Sequence, residues 1–197
     1  MTLEELRRRF AGSRAPASVY GDEGPRPPAG ELKAAAVLLP IVAREPQPTM
    51  LFTRRAVHLK DHSGQVSFPG GRVALHNPTP EATALREARE EIGLDPDRVE
   101  LLGRMPEYHT RTGFRITPVV GIVTPPFELQ PDAGEVEEIF EVPLAFLLDP
   151  ANHQRQSREW QGELRWFFAM PYERHYIWGA TAGMLVNLYR YLEQGRL

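Results

Sequence analysis

The sequence predicts an α+β or α/β/α layered domain. Two observations predict this class: strand-like apolar runs fill much of the chain, and helical periodicity is confined to three segments, near the start, in the middle and at the end. Strands with one central helix and one closing helix are typical of such layers. A length of 197 residues with 42% hydrophobic content fits one domain, residues 1–197. Residues 1–32 are expected to pack on it as a helix and a Pro/Gly-rich segment.

The first half of the chain predicts one short helix and two strands. Residues 2–10 have apolar side chains at helical spacing, whereas residues 12–31 are too rich in Gly and Pro to be regular and are expected to form a loop or an ordered wrap. Two apolar runs, residues 32–42 and 49–56, predict strands joined by the turn-forming sequence REPQP.

The second half predicts two helices separated by strands. Thr79 and Pro80 are typical of a helix start, and Gly93 is typical of a helix end. Leucines at helical spacing near the C-terminus predict the closing helix, over residues 179–194. Strands are predicted at residues 98–105, 115–123, 158–163 and 164–172.

Composition excludes several classes of protein. The formal net charge is -3, so the sequence lacks the basic footprint of a nucleic-acid-binding protein. There are no cysteines, which excludes disulfides and thiolate chemistry. The longest apolar stretch, residues 34–43, is too short to cross a bilayer and contains a proline, and the N-terminus does not resemble a signal peptide. A cytoplasmic location is therefore expected.

The sequence REAREEIGL, residues 86–94, places three glutamates within one and a half helical turns. Glu87, Glu90 and Glu91 share one side of this predicted helix, and apolar residues share the other. Like charges at this spacing repel by a few tenths of a kcal/mol per pair, ~0.2–0.5, so the cluster needs a compensating partner or a cation. Two interpretations remain at this point: a solvated helix face braced by an Arg86–Glu90 pair, or a metal site.

The spacing of this helix from Gly71 resembles the Nudix box. That motif consists of a glycine, a loop, and then Arg-Glu-apolar-any-Glu-Glu-any-Gly-apolar, and residues 86–94 match it at every defined position. Asn77 stands where the motif has its first glutamate, and the loop is one residue longer than usual. The resemblance implies a Nudix-type α/β/α sandwich with a mixed β-sheet and a catalytic loop followed by a helix.

The resemblance also implies the roles of individual residues. Glu87, Glu90 and Glu91 would bind Mg²⁺ or Mn²⁺, the Gly71 carbonyl would join them, and Arg86 would orient Glu90; a surface ion pair is the alternative for Arg86. Family members often take a further ligand or base from a late acidic segment, here residues 132–149. Glu135 is the best-aligned candidate base and Glu138 the second, and a solvated acidic loop is the alternative. The implied catalytic residues are Glu90, Glu91, Arg86 and Glu135.

Residues 51–71 resemble a narrower signature, that of Nudix hydrolases that cleave coenzyme A. The signature continues through the Phe-Pro-Gly-Gly sequence that ends at Gly71, with a lysine in place of its second arginine. This resemblance implies that the substrate is bound by Arg54, Arg55, Lys60, Gly70 and Gly71, the basic residues holding phosphates. Residues 107–121 also resemble this subfamily, and Tyr108, Phe114, Arg115 and His109 lie in that region. The positions that match the signature are Leu51, Thr53, Arg55, Ala56, Gly64, Phe68, Pro69, Gly70 and Gly71.

The expected function is metal-dependent hydrolysis of the diphosphate of coenzyme A or its derivatives, giving 3',5'-ADP and 4'-phosphopantetheine or its acylated form. One alternative is hydrolysis of another nucleoside diphosphate derivative, such as ADP-ribose or NADH. The other is a Nudix regulator that binds its ligand without cleaving it, although loss of a core glutamate would mark such a protein and all three are present. The expected partners are a small-molecule substrate and, as a possible assembly, a second copy, but no nucleic acid and no membrane.

Overall fold

The computed structural model describes residues 1–12, 20–21, 32–74, 79–160 and 162–194. Four α-helices lie in these residues: α1 (Leu3–Gly12), α2 (Pro80–Ile92), α3 (Leu144–Leu147) and α4 (Gly179–Gln194). Nine strands of the described residues form the main sheet: β1 (Tyr20–Gly21), β2 (Lys33–Val42), β3 (Thr49–Arg55), β4 (Val66–Ser67), β5 (Gly70–Arg72), β6 (Val99–Arg104), β7 (Tyr108–His109), β8 (Phe114–Val123) and β9 (Val136–Pro143). A second sheet contains β10 (Gln154–Trp160), β11 (Glu163–Tyr172) and β12 (His175–Trp178).

The main sheet is mixed. Its central strands, β2 and β8, pair in parallel along their full lengths, whereas β3 and β5 pair with β2 in the antiparallel sense. Strand β9 extends the sheet by pairing antiparallel with β3. The mixed sheet implied by the sequence resemblance is therefore confirmed.

Helices cover both faces of the main sheet. Side chains alternate along β2, so consecutive residues of this strand contact helices on opposite faces. Leu38 packs in a cluster with Ala84, Ala88 and Ile92 of α2. Its neighbour Leu39 points to the other face, into a cluster with residues of α1, α3 and α4. The layered α/β/α arrangement predicted from the order of elements is confirmed.

The N-terminal helix packs on the C-terminal helix. The ring centroids of Phe10 and Tyr191 are 5.1 Å apart. The Arg9 guanidinium donates a hydrogen bond of 2.6 Å to the carbonyl of Leu192. Of the Pro/Gly-rich segment, residues 12–31, the structure describes Gly12, which ends α1, and Tyr20–Gly21, which pair in parallel with β7. The rest of that segment, and the wrap or loop expected for it, lie outside the described residues. Within the described residues, no helix is long and apolar enough to span a membrane.

One prediction about strands was wrong. Residues 158–163 do not form one strand: β10 ends at Trp160, Gly162 adopts a left-handed φ of 77°, and β11 begins at Glu163. A glycine in that conformation turns the chain back in a hairpin. The acidic segment that follows residue 132, for which a solvated loop was one alternative, enters the main sheet at Val136, where β9 begins and pairs with β3.

Candidate active site

The acidic helix α2 is fixed at both ends by local chemistry. The Thr79 hydroxyl accepts a hydrogen bond of 3.2 Å from the N–H of Ala82, and Pro80 occupies the first turn. Gly93 ends the helix with a left-handed φ of 69°, and its N–H bonds back to the carbonyls of the last turn. The start and end predicted from the sequence are confirmed.

The three glutamates of α2 have different environments. Glu91 is buried, with 6% of its surface exposed, and its Oε2 accepts a hydrogen bond of 3.3 Å from the Gly70 N–H. The Glu87 side chain is mostly buried, whereas that of Glu90 is 58% exposed. Arg86 forms ion pairs with both Glu87 and Glu90. The arginine therefore braces two carboxylates, and Glu91 faces the interior.

Strand β5 brings two glycines against these carboxylates. Gly70 and Gly71 pair with Val37 and Ala36 of β2, so the glycine turn forms the edge of the sheet beside α2. A Cβ atom at Gly71 would lie 2.3 Å from Oε1 of Glu87. The missing side chain at Gly71 thus leaves the space that the Glu87 carboxylate occupies, and this explains physically why a glycine stands there.

Negative charge accumulates around Glu91. Burial raises the pKa of the Glu91 carboxyl to about 8, and the charges of Glu135 and Glu87 act in the same direction. The Gly70 N–H and the positive charge of Arg55 oppose this shift. Glu135 is exposed and comes from the turn before β9, so the fold brings this predicted base close enough to act on Glu91.

The carboxylates fit a divalent cation in their chemistry. Within the described ranges, no three His, Cys, Asp or Glu side chains are already arranged to hold a metal ion. The Glu87 and Glu90 carboxylates pair with Arg86 instead. However, carboxylate oxygens are the ligands that Mg²⁺ and Mn²⁺ prefer, and Glu135 and Glu87 lie close enough to Glu91 for their negative charges to act on it, charges that a cation would neutralise. Glu87 and Glu91 are therefore the residues best placed to hold such an ion.

A cavity of about 780 Å³, which we call the large cavity, opens beside Gly70 and Gly71. The main sheet forms one wall, and the β10–β12 sheet forms another. Sequence reasoning missed most of this second wall, because its contribution depends on a contact between two sheets. The missed arginine and aromatic residues on the lining are Arg72, Arg111, Arg158, Arg165, Trp166, Phe167 and Trp178.

The predicted phosphate-binding residues do not all reach the large cavity. Arg55 lines it, and its buried Nε has no hydrogen-bond partner among the described residues. Arg54 lines a separate cavity of about 500 Å³, the small cavity, where its guanidinium pairs with Glu137 and Glu138 at 3.4 and 3.1 Å. Lys60 is exposed and lines neither cavity. Of the three basic residues, only Arg55 lies beside the carboxylates.

The two candidate bases, Glu135 and Glu138, have different surroundings. Glu138 lies in the small cavity, where Arg174 and His175 bind its carboxylate, the histidine through Nε2 at 3.1 Å. The hydrogen bond from Arg174, followed by that from His175, lowers the pKa of Glu138, which makes it a poor proton acceptor. Glu135 is the better candidate because its charge acts on Glu91.

The other residues of the region that resembles the coenzyme A subfamily, residues 107–121, lie in three settings: the cavity lining, the core and the surface near Glu107. Phe114 lines the large cavity, and the Arg72 guanidinium lies 5.6 Å from the centre of its ring. Tyr108 is buried against α4, where a Cβ at Gly183 would meet its hydroxyl at 2.4 Å. Arg115 is exposed and lies 3.7 Å from Glu107, away from the cavity lining. The remaining candidate, His109, also faces Glu107, at 3.8 Å, and is likewise absent from that lining.

Comparisons with known proteins agree with this geometry. Residues 32–166 match the family described as NUDIX domain. The chain is 41% identical over 156 residues to an uncharacterised Nudix hydrolase, NudL, from Escherichia coli K12, covering 79% of this chain and 81% of that relative. The same match extends to NudL from Shigella boydii serotype 18.

Solved structures share the fold at low sequence identity. A MutT protein from Methanosarcina mazei Go1 aligns with a TM-score of 0.53 and 16% identity, covering 84% of this chain and 96% of that chain. The NUDIX domain of NrtR from Shewanella oneidensis, solved with ADP ribose, aligns with a TM-score of 0.51 and 17% identity over 98% of both chains. These likenesses show the fold that was expected from the sequence.

Proposed function

The chain belongs to the Nudix family, whose hydrolases act on phosphoric anhydrides, and from this premise we propose that its substrate is coenzyme A or a derivative of it. The products would be 3',5'-ADP and 4'-phosphopantetheine or its acylated form. The observation that carries this proposal is that Arg55, from the segment that resembles the coenzyme A signature, lines the same cavity as Gly70 and Gly71.

The size and lining of the large cavity also support a nucleotide-containing substrate. About 780 Å³ lies within the range of pockets that enclose molecules of drug size. Aromatic rings on the second wall offer faces on which an adenine ring can stack, and arginine forks match the geometry of phosphate oxygens. Arg55, with its buried Nε lacking a partner in the described residues, is the expected contact of the diphosphate.

The residues around the diphosphate have distinct proposed roles. A bound Mg²⁺ or Mn²⁺ would neutralise developing charge and make an attached water a better nucleophile. Glu87 and Glu91 would hold the ion, with Glu90 and the Gly71 carbonyl as the further predicted ligands. Arg86 keeps the Glu87 and Glu90 carboxylates in place, and Glu135 accepts the proton of the attacking water.

Product analysis tests the proposal directly. The purified protein is incubated with Mg²⁺ or Mn²⁺ and with coenzyme A, ADP-ribose or NADH in parallel, and the products are identified by mass spectrometry. Preferential release of 3',5'-ADP and phosphopantetheine supports the proposal. Cleavage of only ADP-ribose or NADH refutes the choice of substrate, and no cleavage of any of the three would favour a ligand-binding regulator.

The other expectations about this protein remain predictions. They are a single domain over residues 1–197, a cytoplasmic location, a possible homodimer and the absence of a nucleic-acid partner. Size-exclusion chromatography with light scattering would determine the number of copies in solution.

A further inference from the structure

The turn that carries Glu135, which we call the Glu135 turn, consists of residues 132–135, and all four residues are exposed. A segment without buried apolar contacts opens locally at a low free-energy cost unless hydrogen bonds hold it. The position of the Glu135 carboxylate beside Glu91 therefore depends on the hydrogen bonds that this turn makes.

Backbone hydrogen bonds attach the start of the Glu135 turn to the end of α2. The Gln130 N–H donates to the carbonyl of Ile92, and the Asp132 N–H donates to the carbonyl of Glu91, both at 2.9 Å. The first residue of the turn is thus bonded to the residue whose carboxyl is affected by the charge of Glu135. Because these two bonds come from the backbone, substitution of the side chains leaves their donors and acceptors in place.

The Asp132 side chain closes the Glu135 turn. Its Oδ1 accepts a hydrogen bond of 2.8 Å from the Gly134 N–H. Its backbone carbonyl accepts two more, from the N–H groups of Glu135 at 2.9 Å and Val136 at 2.8 Å. An aspartate that bonds the N–H two residues later in the chain mimics a backbone turn and fixes the residue between. Only the first of these three bonds comes from a side chain, so a substitution of Asp132 can remove it alone.

His58 holds the other side of the turn to the loop that follows β3. The Ala56 N–H donates a hydrogen bond of 2.9 Å to the Glu135 carbonyl, and Nε2 of His58 lies 3.2 Å from the carbonyl oxygen of Gly134. Because a carbonyl oxygen can only accept, the His58 ring donates through its Nε2–H. His58 belongs to residues 51–71, at a position that the coenzyme A signature leaves undefined.

The two side-chain bonds converge on Gly134, the residue directly before Glu135. Asp132 binds the N–H of Gly134, and His58 binds its carbonyl, so the peptide groups on both sides of this glycine are restrained. Glycine has the widest choice of backbone conformations, and without these bonds rotation at Gly134 would move the next side chain. A displacement of about 1 Å in a reacting group can lower a rate by roughly 100-fold.

We propose that Asp132 and His58 are positioning residues that hold the Glu135 carboxylate where it can accept a proton. This role rests on the proposed function, in which Glu135 is the base for the attacking water. Neither Asp132 nor His58 lines the large cavity, so their effect is exerted through Glu135. A general base must lie within hydrogen-bonding reach of the proton that it removes, and an exposed turn needs such restraints to keep it there.

The test compares variants that remove each side-chain bond with variants that keep it. Asp132→Ala and His58→Ala remove the acceptor and the donor, whereas Asp132→Asn retains an oxygen acceptor and His58→Gln retains an N–H donor. Steady-state kcat and KM are measured with Mg²⁺ or Mn²⁺ and with coenzyme A, or with whichever of ADP-ribose and NADH the wild type cleaves. Each alanine substitution is also combined with Glu135→Gln, and Tm is measured for every variant.

Asp149→Ala is the matched control. Oδ1 of Asp149 accepts a hydrogen bond of 2.9 Å from the Ala151 N–H, which is the same bond, to the residue two positions later, that Asp132 makes. Asp149 is also exposed, and it lines neither cavity. Its substitution therefore removes an equivalent bond from a turn that carries no proposed base.

The alanine variants should lose turnover but not substrate binding. Each should lower kcat by about 10-fold and change KM by less than about twofold, because the base is displaced while the cavity lining is intact. Asp132→Asn and His58→Gln should recover kcat to within about threefold of the wild type. Asp149→Ala should lower Tm by about as much as Asp132→Ala without changing kcat.

The double variants show whether the two residues act through Glu135. Glu135→Gln alone should lower kcat by about 100-fold, as expected for loss of a general base. In this background, Asp132→Ala and His58→Ala should lower kcat no further, since residues that act as a unit do not have additive effects.

Two results would overturn the assignment while the proposed function stands. One is an unchanged kcat in the alanine variants with a fall in Tm like that of Asp149→Ala, which would leave Asp132 and His58 a structural role only. The other is the same loss of kcat with and without Glu135→Gln, which would mean that they act on another part of the site. A wild-type kcat for Glu135→Gln would show that Glu135 is not the base, and the positioning role would fail with it. If the wild type cleaves none of the three substrates, the proposed hydrolysis itself fails.

Discussion

Replacing Glu91 with glutamine should stabilise the metal-free protein at alkaline pH, although it should also abolish turnover. Glu91 is 6% exposed, and burial, followed by the nearby charge of Glu135, raises its pKa from 4.5 to about 8. Because the folded-state pKa lies above the unfolded value, the folded protein binds more protons between these pH values. The stability that the Glu91 carboxyl contributes is therefore fully present below pH 4.5 and is lost as the pH rises through about 8.

The size of the effect follows from this shift. A change from 4.5 to about 8, at about 1.4 kcal/mol per pKa unit, sets a ceiling of about 5 kcal/mol on the cost of ionising Glu91 in the folded protein. Movement of side chains and entry of water reduce such costs, so we expect a gain of about 2 kcal/mol for Glu91→Gln at pH 9. For a chain of this size, this gain corresponds to a rise in Tm of roughly 4–8 °C. Glutamine retains the oxygen that accepts the Gly70 hydrogen bond, so the comparison isolates the charge.

Thermal unfolding of Glu91→Gln and the wild type, measured from pH 5 to pH 9 in EDTA, tests this prediction. The difference in Tm between Glu91→Gln and the wild type should be small at pH 5 and should grow through pH 8. Glu90→Gln is the matched control, because its side chain is 58% exposed and its removal should give no such pH-dependent gain. A difference in Tm that is the same at every pH, or equal for the two variants, would refute the electrostatic account of Glu91. Added Mg²⁺ should stabilise the wild type more than Glu91→Gln, since a ligand that binds only the folded state raises its stability.

Three further substitutions test the site. Glu90→Gln should lower kcat for coenzyme A by at least about 100-fold, because it removes the charge of a predicted metal ligand. The far-UV circular dichroism spectrum should not change, since the side chain is exposed. A near-normal kcat at saturating Mg²⁺ would contradict this role of Glu90. Gly71→Ala should lower kcat by roughly 10- to 100-fold, because its Cβ would displace the Glu87 carboxylate, and urea unfolding should show a stability change of about 1 kcal/mol or less. Lys60→Gln should change kcat/KM for coenzyme A by less than about threefold, since Lys60 lies on neither cavity, and a larger loss would restore it to the substrate site.

Local chemistry made one half of the site predictable from the sequence. Thr79, Pro80 and Gly93 define the acidic helix through short-range capping, and the glutamates follow from their spacing on it. The environments of these glutamates were not predictable, because they depend on what packs against α2. Burial of Glu91 requires the Gly70 edge of β5, and the choice between Glu135 and Glu138 depends on Arg174, which is far away in the sequence.

The second wall of the large cavity, formed by β10–β12, could not be predicted from the sequence for a different reason. Arg158 and Arg165 occur in runs of mixed polar and aromatic residues that predict strands but not a partner for them. Only the hairpin turn at Gly162 places the two side chains opposite each other, and the prediction of one strand over residues 158–163 crossed that turn. An error of a few residues in a strand boundary therefore concealed a candidate binding site.

Strand β3 shows how one short run can separate a structural arginine from a functional one. Arg54 and Arg55 are adjacent, so their side chains project from opposite faces of the strand, and the pairing register with β9 shifts between them. One face holds Arg54 between Glu137 and Glu138, where its charge is balanced within the protein. The other face presents Arg55 to the large cavity, close enough to the buried Glu91 carboxyl to act on its pKa. A guanidinium held between two carboxylates contributes to the fold, whereas one that lines the large cavity is suited to a substrate phosphate.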